Sequence, residues 1–168
     1  MGAIQSSVVN KTYPFIVKNG PGLVLDNETI VTDASRTKAL AQYTVMAYIA
    51  ATGKWIPWYS VTTTDGSAFP AGILMTDGGF TAAQLVAGDV TGAAILVGGA
   101  ALLIDSSQLV FDAGVGGSGG GLALTTAIAG NAVGSGSATC YLTINAATAL
   151  RLCGIFCQTT ILEDLSEN

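Results

Sequence analysis

The chain contains no histidine, and it is short of charge of either sign: 6 Lys and Arg and 11 Asp and Glu among 168 residues. Without an imidazole, no Ser-His-Asp or Cys-His nucleophile can be assembled, and a Cys-His zinc site is excluded. No lysine follows Lys54. The glycine-rich run Gly114-Val115-Gly116-Gly117-Ser118-Gly119-Gly120-Gly121 therefore has no Gly-Lys-Ser/Thr ending to hold a phosphate. It also lacks the preceding strand and following helix that dinucleotide binding needs. The cations are scattered, with Arg36 and Lys38 the closest pair, and the net charge is −5. Nucleic acid, which is held by grouped Lys and Arg, is not an expected partner.

Long apolar runs are missing too. The best, Ala93–Ile104, is interrupted by Gly98 and Gly99 and stopped by Asp105, whereas a spanning helix needs about 20 apolar residues. No membrane is expected. Met1-Gly2-Ala3-Ile4-Gln5-Ser6-Ser7 carries no basic-then-apolar export pattern. Gly2 with Ser6 loosely fits a myristoylation pattern, but an ordinary initiator segment is the simpler reading. Cys140, Cys153 and Cys157 are an odd set with no second ligand pair, so they read as small apolar fillers in a protein made in the cytoplasm. Asp105-Ser106-Ser107-Gln108 suits the start of a helical turn and lacks the alternating acids of an EF-hand. Asp26 with Glu28 is the nearest thing to a carboxylate pair, while Asp65, Asp77 and Asp89 adjoin glycine or turns, where aspartate is a turn former. The chain thus offers no catalytic residue, no metal ligand set and no cofactor site, and it is not expected to be an enzyme.

What is present is apolar and uncharged. Hydrophobic residues make up 50% and charged residues 10%, against about 25% charged in an ordinary soluble domain. The mean hydropathy is +0.56. A surface this poor in charge is expected to be buried against protein partners.

Along the chain, residues 1–33 read as an extended arm. Tyr13-Pro14-Phe15-Ile16-Val17 holds a proline that disrupts a helix or central strand. Asn19-Gly20-Pro21-Gly22 is a loop, and Leu23-Val24-Leu25 and Thr29-Ile30-Val31-Thr32 are short β-type runs. Tyr13, Phe15, Ile16, Val17, Leu23, Val24 and Leu25 are the candidate partner-binding side chains, reached by strand addition. The next block, 34–112, is β-rich. Tyr43–Ile49 and Trp55–Tyr59 flank the turn at Ala51-Thr52-Gly53-Lys54, and Thr64-Asp65-Gly66-Ser67 is a second tight turn. Ala71–Met75 and Ala93–Val97 read as buried strands, the latter continued to Ile104 across a bulge or bend at Gly98-Gly99.

Residues 113–144 form an uncharged Gly/Ala/Thr-rich insert, read as a loop or hairpin that something covers. Asn145 caps a short helix over 146–153 that Gly154 stops, and Ile155–Ile161 is a last strand. Residues 163–168 are an acidic tail. The fold expected is mainly β with one short helix (α+β), a small sandwich or barrel-like domain formed by 34–112 and 145–162. Trp55, Trp58 and Tyr59 cluster around one hairpin return, where interface hot spots and core packing are equally ordinary readings.

Several stretches, taken in order, carry a resemblance. They are Thr52-Gly53-Lys54-Trp55-Ile56-Pro57-Trp58, then Thr64-Asp65-Gly66-Ser67-Ala68 with Ala71-Gly72-Ile73-Leu74. Ala87-Gly88-Asp89-Val90 leads into Ala94-Ile95-Leu96-Val97 and Leu109. The last is Arg151-Leu152-Cys153-Gly154-Ile155-Phe156-Cys157-Gln158-Thr159-Thr160-Ile161. Over roughly 40–112 and 145–162 the chain resembles the lambda-type phage head decoration (capsid cement) proteins in order and texture. The resemblance implies a homotrimer on the capsid exterior of a virion, bound to the major capsid protein through an N-terminal arm. The long arm and the insert 113–144 depart from the family pattern. The alternative is a trimeric tail or fibre module that binds a host receptor.

Overall fold

A computed structural model of the chain describes residues 16–18, 22–99, 102–112, 122–128 and 144–158. Its centre is a closed five-stranded barrel in the order β2-β4-β3-β5-β6. The staves are β2 (Gly22–Ile30), β3 (Val45–Ile49), β4 (Lys54–Pro57), β5 (Pro70–Leu74) and β6 (Val90–Gly99). Neighbours are antiparallel except at the closure, where β2 meets β4 in parallel at Ile30 and Trp55. The Val31 amide donates to the Trp55 carbonyl at 2.9 Å beside that contact. The prolines sit where a missing N–H is tolerated: Pro57 ends its stave and Pro70 begins one.

Alternation along the staves divides the core in two. Met46, Leu74, Ala93 and Ile95 face the barrel interior with Ile30, Leu40, Trp55, Phe80 and Leu85. Their neighbours Val45, Ala47, Ile73 and Leu96 belong to two other buried clusters, outside the barrel wall. Two-residue periodicity thus makes β3, β5 and β6 apolar on both faces, and the second face must be covered.

The later part of the chain covers it. β1 (Ile16–Lys18), β7 (Leu102–Asp105) and β10 (Ile155–Gln158) form a three-stranded sheet with β7 in the middle. Helix α2 (Ala146–Leu152) buries Ala146, Ala149 and Leu150, and the two-residue strands β8 (Ala127–Ile128) and β9 (Ile144–Asn145) pair beside it. Ile104, Leu150 and Ile155 pack with Ile73, Met75 and Leu96, while Ile128, Ala146 and Ala149 pack with Val45, Ala47 and Trp58. Asn145 caps α2 as its sequence predicts, its side-chain oxygen accepting from the Thr148 amide at 2.8 Å. Ser106–Gln108 forms the expected helical turn, a 3-10 helix capped by Asp105. At Gly98, φ is +141°, and any Cβ there would run into the Cys153 carbonyl. Glycine is what lets β6 pass so close to the end of α2.

The mainly β, barrel-like expectation holds, with three differences. The structure has two helices: α1 (Ala82–Ala87) is added, opened by a capping box between Thr81 and Gln84. Residues 22–33 are not part of an arm. β2 is a barrel stave, paired with β6 from Gly22–Gly99 to Ile30–Val90, because its apolar alternation is satisfied by the chain's own β6. β1 likewise pairs antiparallel with β7, Ile16 opposite Ile104. Nor is 113–144 wholly an insert: Leu122, Leu124 and Ile128 pack on the domain, which supplies the cover that this uncharged stretch calls for. Residues 113–121 and 129–143 lie outside the described residues, as does the acidic tail.

Candidate interaction site

A cleft of about 330 Å³ opens where the end of β2 passes β4 and α1. Its apolar walls include Val31, Ile56, Pro57 and Leu85, and Asp33, Arg36 and Tyr59 also line it. The walls are fixed by hydrogen bonds. The Leu85 carbonyl accepts both the Thr32 hydroxyl at 2.9 Å and the Asp33 amide at 3.0 Å. The Thr32 amide donates to Asp89 Oδ1 at 2.9 Å, and Asp89 Oδ2 meets Lys54 Nζ at 2.5 Å. These bonds tie β2, β4 and α1 together around the cleft.

The charged groups are arranged unevenly. Arg36 is buried, its guanidinium donating to the carbonyls of Lys38 and Ala39 and to Asp112 Oδ2 at 2.6 Å. Asp112 neutralises it. Asp33 Oδ1 accepts from the Ser35 amide at 3.1 Å and the Ser35 hydroxyl at 2.7 Å. Tyr59 holds its phenolic proton above the ordinary range, first because it is partly buried and then because Asp33, Asp65 and Asp112 make its surroundings negative.

A second surface lies at the other end of the chain. Leu152 is 75% exposed and Phe156 is 37% exposed, with the Arg151 guanidinium 5.5 Å from the centre of the Phe156 ring. Long apolar side chains left in solvent like this suit a protein contact.

The candidate side chains from the sequence scatter across the molecule. Tyr13 and Phe15 lie outside the described residues. Ile16 and Val17 fall in β1, and Leu23, Val24 and Leu25 in β2. Leu25 packs against the barrel core, whereas Val24 is exposed. Trp55 and Trp58 are not interface residues: they are 3% and 0% exposed. The Trp55 indole donates to Glu28 at 2.8 Å and the Trp58 indole to the Ala68 carbonyl at 3.0 Å. Core packing wins because each indole N–H finds an internal acceptor, so the whole ring can leave water. Of the three aromatics, Tyr59 alone reaches the cleft.

One recurring device has a sequence signal that is easy to pass over. Asp33-Ala34-Ser35, Asp65-Gly66-Ser67 and Asp105-Ser106-Ser107 build the same turn. In each, the aspartate Oδ1 accepts both the amide and the hydroxyl of the serine two residues on. Those bonds hold the carboxyls of Asp65 and Asp105 below the usual range, and contact with Lys54 and Thr32 does the same to Asp89. Among the described residues, no group of three or more acids and cysteines is placed to hold a metal ion. Among the described residues, no helix is long and apolar enough to cross a membrane. No protein-family model, curated protein or solved structure matches the chain.

Proposed function

We propose that this chain is a structural decoration (cement) protein that binds the outside of a phage head as a homotrimer and stabilises the shell. The observation that carries this reading is how the few charges are used. Arg36 and Asp112 pair in the interior, Lys54 pairs with Asp89, Glu28 serves Trp55, and Asp33, Asp65 and Asp105 fasten turns. Among the described residues, the large apolar side chains of Leu152, Phe156, Val24 and Val86 are left exposed. Such a surface gains free energy by being covered, and several weak contacts from linked protomers add through effective concentration. The order and texture of the sequence, which resemble the lambda-type head decoration proteins, support the same reading.

On this reading the partners are the major capsid protein and two further copies of the chain, and the location is the capsid exterior. The capsid-binding arm is shorter than the sequence suggests. With β1 and β2 engaged inside the domain, the segment left for the shell is the one preceding β1, with Tyr13 and Phe15.

The test is to add the purified chain to expanded heads that lack it, sediment them, and image the particles. Many copies at regular positions on the shell are expected, with a trimer by sedimentation of the free protein at micromolar concentration. A few copies confined to the tail would replace this reading with that of a fibre or receptor-binding module. A monomer that leaves the heads bare would end both.

A further inference from the structure

We propose that the end of α2 and the neighbouring edge of β10 receive residues 159–168 of a second copy of this chain. Three features meet there. β10 stands at the side of its three-stranded sheet, and its outer edge is unpaired among the described residues. Such an edge leaves backbone donors and acceptors for an added strand. Leu152 and Phe156 lie close to the start of β10 and are 75% and 37% exposed. Arg151 is exposed beside them, 5.5 Å from the centre of the Phe156 ring, and meets no carboxylate among the described residues.

Charge and composition name the occupant. Residues 159–168 carry Ile161, Leu162 and Leu165 among Glu163, Asp164 and Glu167, with no lysine or arginine. An apolar, acidic segment matches an apolar surface that holds a cation. Arg36 and Lys54 do not compete for these acids, since Asp112 and Asp89 already pair with them. The direction of β10 says whose segment it is. β10 runs parallel to β7, from Ile155 opposite Leu102 to Gln158 opposite Asp105. The chain therefore leaves β10 at the end away from Arg151 and Leu152. Return to its own patch requires a tight reversal, and Thr159-Thr160-Ile161-Leu162 has none of the glycine, proline, asparagine or aspartate that such turns use. Passage onto a neighbour requires no reversal. Handed from each copy to the next, the contact is head-to-tail and closes a ring where the rotation allows it. The inference rests on the homotrimer proposed above and supplies its joint.

The experiment follows the full chain by sedimentation velocity across the micromolar range. Arg151→Glu alone, and Glu163→Lys with Asp164→Lys, are each expected to raise the midpoint of self-association about tenfold, as one or two screened attractions become repulsions. All three changes in one chain should restore the parent midpoint, which a misfolded variant could not do. Mixing the two single-sided variants should yield mixed complexes, because each patch then finds an oppositely charged segment on the other chain. Unchanged association in both variants, failure of the three changes to restore it, no mixed complexes, or a parent chain that stays monomeric would each overturn the docking. Heads coated at regular positions in any of those cases would leave the cement reading standing.

Discussion

Arg36 and Asp112 stand 76 positions apart in the chain and meet in the interior at 2.6 Å, with side chains only 2% and 8% exposed. The pair joins the loop after β2 to the segment after β7. Removing one partner strands the other, at a cost of about 3–5 kcal/mol, whereas an apolar replacement of both can be nearly neutral. Asp112→Ala should therefore unfold at clearly lower urea than the parent. Arg36→Met with Asp112→Leu should recover most of the loss. Equal midpoints for the single and double variants would contradict the pairing.

The acid side of the stability profile follows from the aspartate turns. Asp65, Asp89 and Asp105 have carboxyls held below their ordinary value in the fold. Each binds its proton more weakly folded than unfolded. Its contribution is therefore complete above the unfolded value of about 3.9 and is lost as pH falls through the lower folded value. Urea midpoints should decline below about pH 4. Asp65→Asn combined with Asp105→Asn should flatten that decline, because fewer protons are then taken up on unfolding.

Thiol reactivity separates Cys153 from Cys157. Burial pushes the Cys157 thiol up to about 11 and raises that of Cys153. The thiolate is the reactive form. In a Cys140→Ser background at pH 8, Cys157 should react with a disulfide reagent about two orders of magnitude more slowly than free cysteine. The exposed Cys153 should react ahead of it. Urea should erase the difference, and equal native rates would count against the burial of Cys157.

Trp55 and Trp58 should behave as core residues. Trp58→Ala removes a ring with no solvent exposure and leaves the Ala68 carbonyl without its donor, at a cost of about 3–5 kcal/mol. Protein that keeps full stability but loses an assembly contact would restore the interface reading.

Much of this architecture is legible in the residues, and the failures share a cause. The β3–β4 turn, the tight turn at Gly66 with φ +99°, and the Asn145 cap are written locally. So is α1, whose Thr81-Ala82-Ala83-Gln84 capping box precedes Leu85 and a terminating Gly88; a six-residue helix offers too little periodicity to be noticed without that signature. What local sequence does not carry is pairing at a distance. Leu23-Val24-Leu25 looks the same whether its backbone meets a foreign strand or β6, and Trp58 looks the same until the Ala68 carbonyl is found beside its indole. The cleft is another such case, since Asp33, Tyr59 and Leu85 come from three separate stretches.

The arm can now be tested at a sensible boundary. If the chain decorates a shell as proposed, deleting residues 1–15, which leaves β1 and β2 whole, should preserve the proposed trimer while abolishing shell binding. Deleting 1–25 removes Gly22–Leu25 from a stave and should lower stability as well. Normal coating by the shorter deletion would remove the arm from the account.

The closure of the barrel has a consequence for how the ring is built. Antiparallel β3 and β4 are joined by a short turn and can zip early, but Gly22 must wait for Gly99 before β2 is fully paired with β6. Loop closure over that distance is slow, so the rate-limiting step should lie in seating this first stave. The parallel contact of Ile30 with Trp55 closes a much shorter loop, which leaves the seam between β2 and β6 as the last stitch to be sewn.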